Sequence, residues 1–143
     1  MEKLSNESRK IMNERFGKDT VIAVATISDG APDVRMVNAY YENGAFYVIT
    51  YKLSHKMKQI EENSTVAIAG EWFTAHGKGI NLGYFCKQEN TEIAKKLRNA
   101  FSAWIDNGHN NFADERTCIL CIKLVDGILF SHGTRYDIDF REG

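Results

Sequence analysis

Apolar and polar positions along this chain change period several times, and each change marks an element. Up to Phe16 the apolar residues Leu4, Ile11, Met12 and Phe16 fall near one face of a helix, which predicts an amphipathic segment packed as a lid. From Val21 to Ser28 the chain turns β-branched and apolar and then stops at Asp29-Gly30, a tight-turn pair. Extended character resumes after Pro32, the only proline, from Val34 to Tyr41. It breaks at Asn43-Gly44 and returns from Ala45 to Thr50.

Hairpin-length connections force these strands to be antiparallel, because a parallel pair needs a crossover of a dozen or more residues. A dinucleotide-binding opening is therefore excluded. Ser54 is placed to cap a short helix from His55 to Asn63 with Met57 and Ile60 on its inner side, and Thr65 to Ala69 follows as another strand. Trp72 to Phe85 reads as a further strand or two, with Gly77-Lys78-Gly79 and Gly83 read as a flexible loop. Ile93, Leu97, Ala100, Phe101, Trp104 and Ile105 recur at three- and four-residue steps, which predicts a helix over Glu89 to Ile105 that Gly108 can end. Cys118 to Leu124, Asp126-Gly127 and Ile128 to Ser131 read as a last hairpin, followed by a charged tail from Tyr136. The expected fold is mainly β with helices: one domain over 1–143, a small antiparallel barrel of six or seven strands whose closure removes exposed edges.

Composition then narrows the function. Eighteen Lys and Arg against nineteen Asp and Glu leave a formal net charge of −1, so no overall field selects for nucleic acid or a membrane surface. No apolar run approaches the ~20 residues that span a bilayer, and the N-terminus lacks a secretory hydrophobic stretch, so a cytoplasmic location is expected. Cys118 and Cys121 spell a CxxC, but on a strand residues three apart point to opposite faces and cannot share a metal. Buried structural cysteines are favoured over zinc or redox chemistry. The four histidines have no metal-ligand spacing, and the glycines near Gly77 do not fit a dinucleotide fingerprint.

The informative segment is Thr50-Tyr51-Lys52-Leu53-Ser54-His55-Lys56. At a strand-to-helix junction the first helical N–H groups lack intrahelical partners and the dipole is positive, which suits an anion, phosphate above all. The Thr50 and Ser54 hydroxyls and the Lys56 ammonium sharpen that preference. A plain serine cap beside a solvated basic patch fits the spacing equally well. If the second and third strands pair through Asn43-Gly44, Arg35 approaches Thr50 and Lys56, and two cations at one helix start favour an anion between them. Surface exposure of both cations is the competing reading.

The ordered combination of Asp29-Gly30, Pro32, Arg35-Met36-Val37, Asn43-Gly44, Phe46 to Thr50 and Ser54-His55-Lys56 resembles the FMN-binding split-barrel superfamily, which holds pyridoxamine 5′-phosphate oxidase, smaller flavin reductases and stress proteins. The resemblance is strongest over 20–69. It implies a Greek-key-like split barrel in which Arg35 and Lys56, helped by Ser54 and His55, bind the FMN phosphate. It also implies that Met36, Val37, Thr50 and Tyr51 line the ribityl chain and ring. A homodimer with flavin at its interface is implied too, with Trp72, Phe73, Trp104 and the chain around Tyr136 as candidates for the partner's contribution. The implied activity is an FMN-dependent oxidoreductase acting on a small substrate, with NADH or NADPH as a donor. Its alternative is a non-catalytic flavin, heme or F420 carrier or redox sensor. No counterpart of the oxidases' C-terminal substrate-phosphate motif is found; His132 to Tyr136 is the candidate for a substrate-facing loop.

Overall fold

A computed structural model describes residues 1–141. Its elements are β1 (Glu2–Lys3), α1 (Asn6–Phe16), β2 (Thr20–Ser28), β3 (Ala31–Glu42), β4 (Ala45–Tyr51), α2 (His55–Glu62), β5 (Thr65–Gly70), β6 (Phe73–Tyr84), α3 (Thr91–Ala100), β7 (Thr117–Ser131) and β8 (Thr134–Asp139). Strands run in the order β7-β4-β3-β2-β5-β6, and β6 returns to β7, so six antiparallel strands close a barrel. β8 extends the far end of β7, and β1 lies parallel to β8.

Both two-residue turns form where Asp29-Gly30 and Asn43-Gly44 predict them, with all four residues at positive φ (50, 78, 47 and 82°). Helix α1 starts at a capping box in which the Ser5 and Ser8 side chains satisfy each other's backbone N–H groups. It is a lid, as expected. Phe16 plugs one end of the barrel, with its ring 5.5 Å from those of both Phe46 and Phe73. Inside the barrel, alternate residues of β2, β4 and β7 meet: Ile22 and Val24, Phe46 and Val48, Cys118, Leu120, Ile122 and Leu124. A second apolar cluster joins α3 to the outer face of β7 through Leu97, Phe101 and Ile119, which is why the middle of β7 is buried on both sides.

Four expectations are corrected. Gly77-Lys78-Gly79 is not a loop but the middle of β6, paired with Leu124, Lys123 and Ile122 of β7. Packing selects these glycines: a Cβ on Gly77 would lie 2.9 Å from both Ile122 Cγ2 and the Lys123 carbonyl oxygen, and one on Gly79 would lie 2.8 Å from Ile60. Asp126-Gly127 is not a turn either, because β7 runs unbroken through it and Gly127 is covered by the Phe73 and Phe140 rings. The hairpin lies at His132-Gly133, so His132 to Tyr136 is a tight turn leading into β8, and Tyr136 belongs to a strand and not to a tail. The long helix is also shorter than its pattern: a 3-10 turn at Gln88–Asn90 leads into α3, and turns replace helix after Ala100.

The Gly77 contact is with backbone and cannot relax cheaply. Gly77→Ala is therefore expected to cost about 1–3 kcal/mol in urea unfolding, whereas Gly→Ala in an open strand would stabilise slightly.

Candidate functional site

Strands β3 and β4 leave their turn as a hairpin pairing Glu42 with Ala45, Tyr41 with Phe46 and Tyr40 with Tyr47, and then part. Continued pairing in this register would set Asn38 opposite Ile49 and Val37 opposite Thr50. Instead β3 stays with β2, where Arg35 pairs Val24, and β4 stays with β7, where Thr50 pairs Cys118. The expectation that Arg35 approaches Thr50 along the hairpin is corrected on this ground. Beside the parting lies a groove of about 350 Å³, lined by Val37 and Asn38 of β3, Val48 and Ile49 of β4, Lys56 of α2, and Trp104, Asn107, His109 and Asn110 from the chain after α3.

Lys56 is the chemical centre of this groove. It sits in the first turn of α2, behind the Ser54 cap, whose Oγ accepts the Met57 N–H at 3.4 Å. Its side chain is half-buried. Burial lowers its pKa from the ordinary 10.5, and the nearby Arg35 guanidinium lowers it further. Arg35 points inward from β3 and donates to the Val24 carbonyl (3.2 Å), Thr26 Oγ1 (2.7 Å) and Gln59 Oε1 (3.3 Å). Gln59 is held in turn by donating to Asp33 Oδ2 at 2.8 Å and by the Thr26 hydroxyl. Among the described residues, neither Lys56 nor Arg35 has a carboxylate within ion-pair distance.

The structure thus brings Arg35, Ser54, His55 and Lys56 to the start of α2, with Val37 and Lys56 in the groove itself. It does not bring the other three into the groove lining. Met36 points outward and is 64% exposed, Thr50 is buried against β7, and Tyr51 is exposed beneath the Arg116 guanidinium at 5.4 Å. Among the aromatics considered for a partner's contribution, Phe73 is core, Trp72 stands exposed at the β5–β6 turn beside Phe130, and the Tyr136 hydroxyl donates to Glu7. Trp104 lines its own chain's groove.

Sequence reasoning missed Asn38, Asn107, His109 and Asn110 as groove residues, and Gln59 as the link between β3 and α2. An irregular segment after a helix carries no periodicity from which to place Asn107, His109 and Asn110. Cys118 and Cys121 are free and buried, and burial pushes both thiols upward in pKa, so neither is a ready nucleophile. Among the described residues no cluster of three metal-ligating side chains occurs, and no helix is long and apolar enough to cross a membrane.

Residues 9–125 match the family described as Pyridoxamine 5′-phosphate oxidase. The chain belongs to that family. Among solved structures of the same fold, General Stress Protein 26 from Bacillus anthracis is 15% identical, with a TM-score of 0.68 over 91% of this chain and 98% of that one. A nimc/nima family protein from Clostridium acetobutylicum is 18% identical, with a TM-score of 0.66 over 90% and 92%. An FAD-binding protein from Mesorhizobium loti is 14% identical, with a TM-score of 0.66 over 87% and 92%. At these identities the likeness establishes the fold alone. No curated protein sequence matches.

A half-buried cation beside another cation destabilises the free protein, and the sign with pH follows from its lowered pKa. Below the native pKa of Lys56 the penalty is complete; as pH rises through that value toward 10.5 the native state sheds the proton first and the penalty fades. Lys56→Met is expected to stabilise the ligand-free protein by about 0.5–1 kcal/mol at neutral pH. In denaturant titrations at a series of pH values that gain should shrink in the alkaline range.

Proposed function

We propose that this protein binds FMN in the groove between β3 and β4, as a homodimer, and acts as an FMN-dependent oxidoreductase on a small substrate. The observation that carries the reading is the half-buried Lys56 ammonium, placed beside Arg35 at the start of α2 with no carboxylate to neutralise either. A site that concentrates positive charge at a helix N-terminus is chemically suited to a phosphate dianion. Family membership supports flavin as the carrier of that phosphate.

The residues present fit such a group. Lys56 and Arg35 would bind the phosphate, with the first N–H groups of α2 as further donors, while Val37 supplies an apolar contact from β3. The flavin, when bound, supplies the hydride or electron transfer, so the protein needs no nucleophile of its own. What the chain provides is grip, orientation and positive charge. NADH or NADPH is the proposed electron donor.

The homodimer is supported by the outer face of β3, β2 and β5. Val34 and Met36 are 68% and 64% exposed, and across the sheet they lie beside Ala25 and Ala23, followed by Ala67 and Ala69. This flat face of small and apolar residues shares strand β3 with the groove.

FMN titrations test the phosphate assignment. Lys56→Ala and Arg35→Ala are each expected to weaken FMN binding about ten- to a hundredfold, for a loss of roughly 1.5–3 kcal/mol. Riboflavin, which lacks the phosphate, should bind wild type more weakly and lose less on either substitution; unchanged FMN curves for both variants refute the site. Sedimentation is expected to show a dimer that Met36→Asp breaks. A wild-type monomer holding FMN stoichiometrically would contradict the shared-site arrangement.

A further inference from the structure

Asp19 lies between α1 and β2, outside any ion pair among the described residues, yet both of its carboxylate oxygens are engaged. Oδ2 accepts the Trp104 indole N–H at 2.8 Å, and Oδ1 accepts the Asn38 side-chain amide at 2.9 Å. These donors come from segments far apart in the chain, and both line the same groove as Lys56. The Trp104 ring is further fixed by stacking on Phe101, with centroids 4.7 Å apart and planes inclined by 29°. An indole restrained at its N–H and on one side has little rotamer freedom left, so a ligand that meets it need not bear the cost of ordering it.

The groove has an uneven lining. Val37, Val48 and Ile49 are aliphatic, Lys56 supplies the cation, and Trp104 is the largest planar side chain among the lining residues, with the smaller His109 imidazole as the other ring. Asn107, Gly108 and His109 continue from Trp104 in a turn secured by the Asn107 N–H to the Trp104 carbonyl (3.0 Å) and the His109 N–H to Asn107 Oδ1 (3.1 Å). Gly108 has a φ of 95°, a conformation that a side chain would strain. The position of the whole turn is therefore tied to where Asp19 holds Trp104.

We infer that Trp104 is the wall on which the planar ring of the bound ligand rests, and that Asp19 is the positioning residue that aims it by clamping Trp104 and Asn38 together. The inference rests on the flavin reading of the groove but concerns a different part of the ligand. Lys56 acts on the phosphate, Trp104 on the ring. The two roles separate experimentally, because riboflavin keeps the ring and lacks the phosphate.

Equilibrium dialysis of FMN and riboflavin against wild type, Trp104→Ala, Trp104→Phe, Asp19→Asn and Lys56→Ala tests this division. Trp104→Ala is expected to weaken both ligands by the same factor, about five- to tenfold, with Trp104→Phe restoring most of it because a ring is regained. Asp19→Asn preserves volume but removes the negative charge that both donors face, and makes Asn38 reverse its amide to keep a hydrogen bond. It should weaken both ligands about threefold and, in a Trp72→Phe background where Trp104 is the sole tryptophan, shift the ligand-free emission to the red. This isosteric variant keeps the test open should Trp104→Ala fail to fold. If Asp19→Asn leaves both the emission and the two affinities at wild-type values, or a folded Trp104→Ala binds both ligands as wild type does, while Lys56→Ala still discriminates FMN from riboflavin, the wall assignment is overturned and the flavin reading stands. If wild type binds neither ligand, the flavin reading fails and the inference falls with it.

Discussion

The constraint on which the site depends is that β3 and β4 cannot remain paired. They are a hairpin at Asn43-Gly44, yet after Tyr40 and Tyr47 each strand follows its other neighbour. Twist accumulates between adjacent strands, and a six-stranded barrel that must also admit a helix at its edge releases that twist where pairing is shortest. The price is a stretch of backbone on two facing edges without ladder partners. Buried N–H and C=O groups require partners, so a gap of this kind has to be wet or filled. It opens beside the groove containing Lys56, where water or a polar ligand can satisfy those edges.

Charge in this region differs from several surface sites at which a cation is matched: Lys96 with Glu42, Arg116 with Asp114, Arg135 with Asp137, and Arg141 and Lys3 with Asp139. At the start of α2 the basic side chains meet only neutral acceptors and each other. Exposed pairs of the first kind contribute little to stability. An unmatched, partly desolvated pair of like charges costs free energy, and a fold keeps such a cost most readily where function requires it.

What the sequence disclosed and what it withheld divide by physical cause. Turn chemistry was legible: Asp29-Gly30 and Asn43-Gly44 demand positive φ and receive it. So was periodicity, which placed α1, the strands from Thr20 to Tyr51 and the Ser54-capped helix close to their observed limits. Glycine misled the reading in β6 and at Gly127, because the same residue serves a turn through its backbone freedom and a strand through its missing Cβ; only the neighbours Ile122, Ile60, Phe73 and Phe140 decide which. In the candidate site, the cations Arg35 and Lys56 stood out as residues in a recognisable order. Trp104 was named only as a candidate for a partner's contribution, and Asn38 and Asp19 not at all, since their relation exists only once three segments far apart in sequence have folded together.

Strand β3 ties these features together through its alternation. Successive side chains point to opposite faces, so Arg35 and Val37 turn toward the barrel and the groove while Val34 and Met36 turn out onto the face proposed for a second copy. A one-residue slip against β2 would exchange the two sets, removing the guanidinium from Gln59 and Lys56 and presenting it to the apolar face. The long pairing with β2, from Thr20–Ala39 to Ser28–Ala31, therefore fixes more than stability. It sets which side of one strand recognises an anion and which side is free to meet another molecule, so anything that repositions β3 in a dimer would also move the wall of the groove.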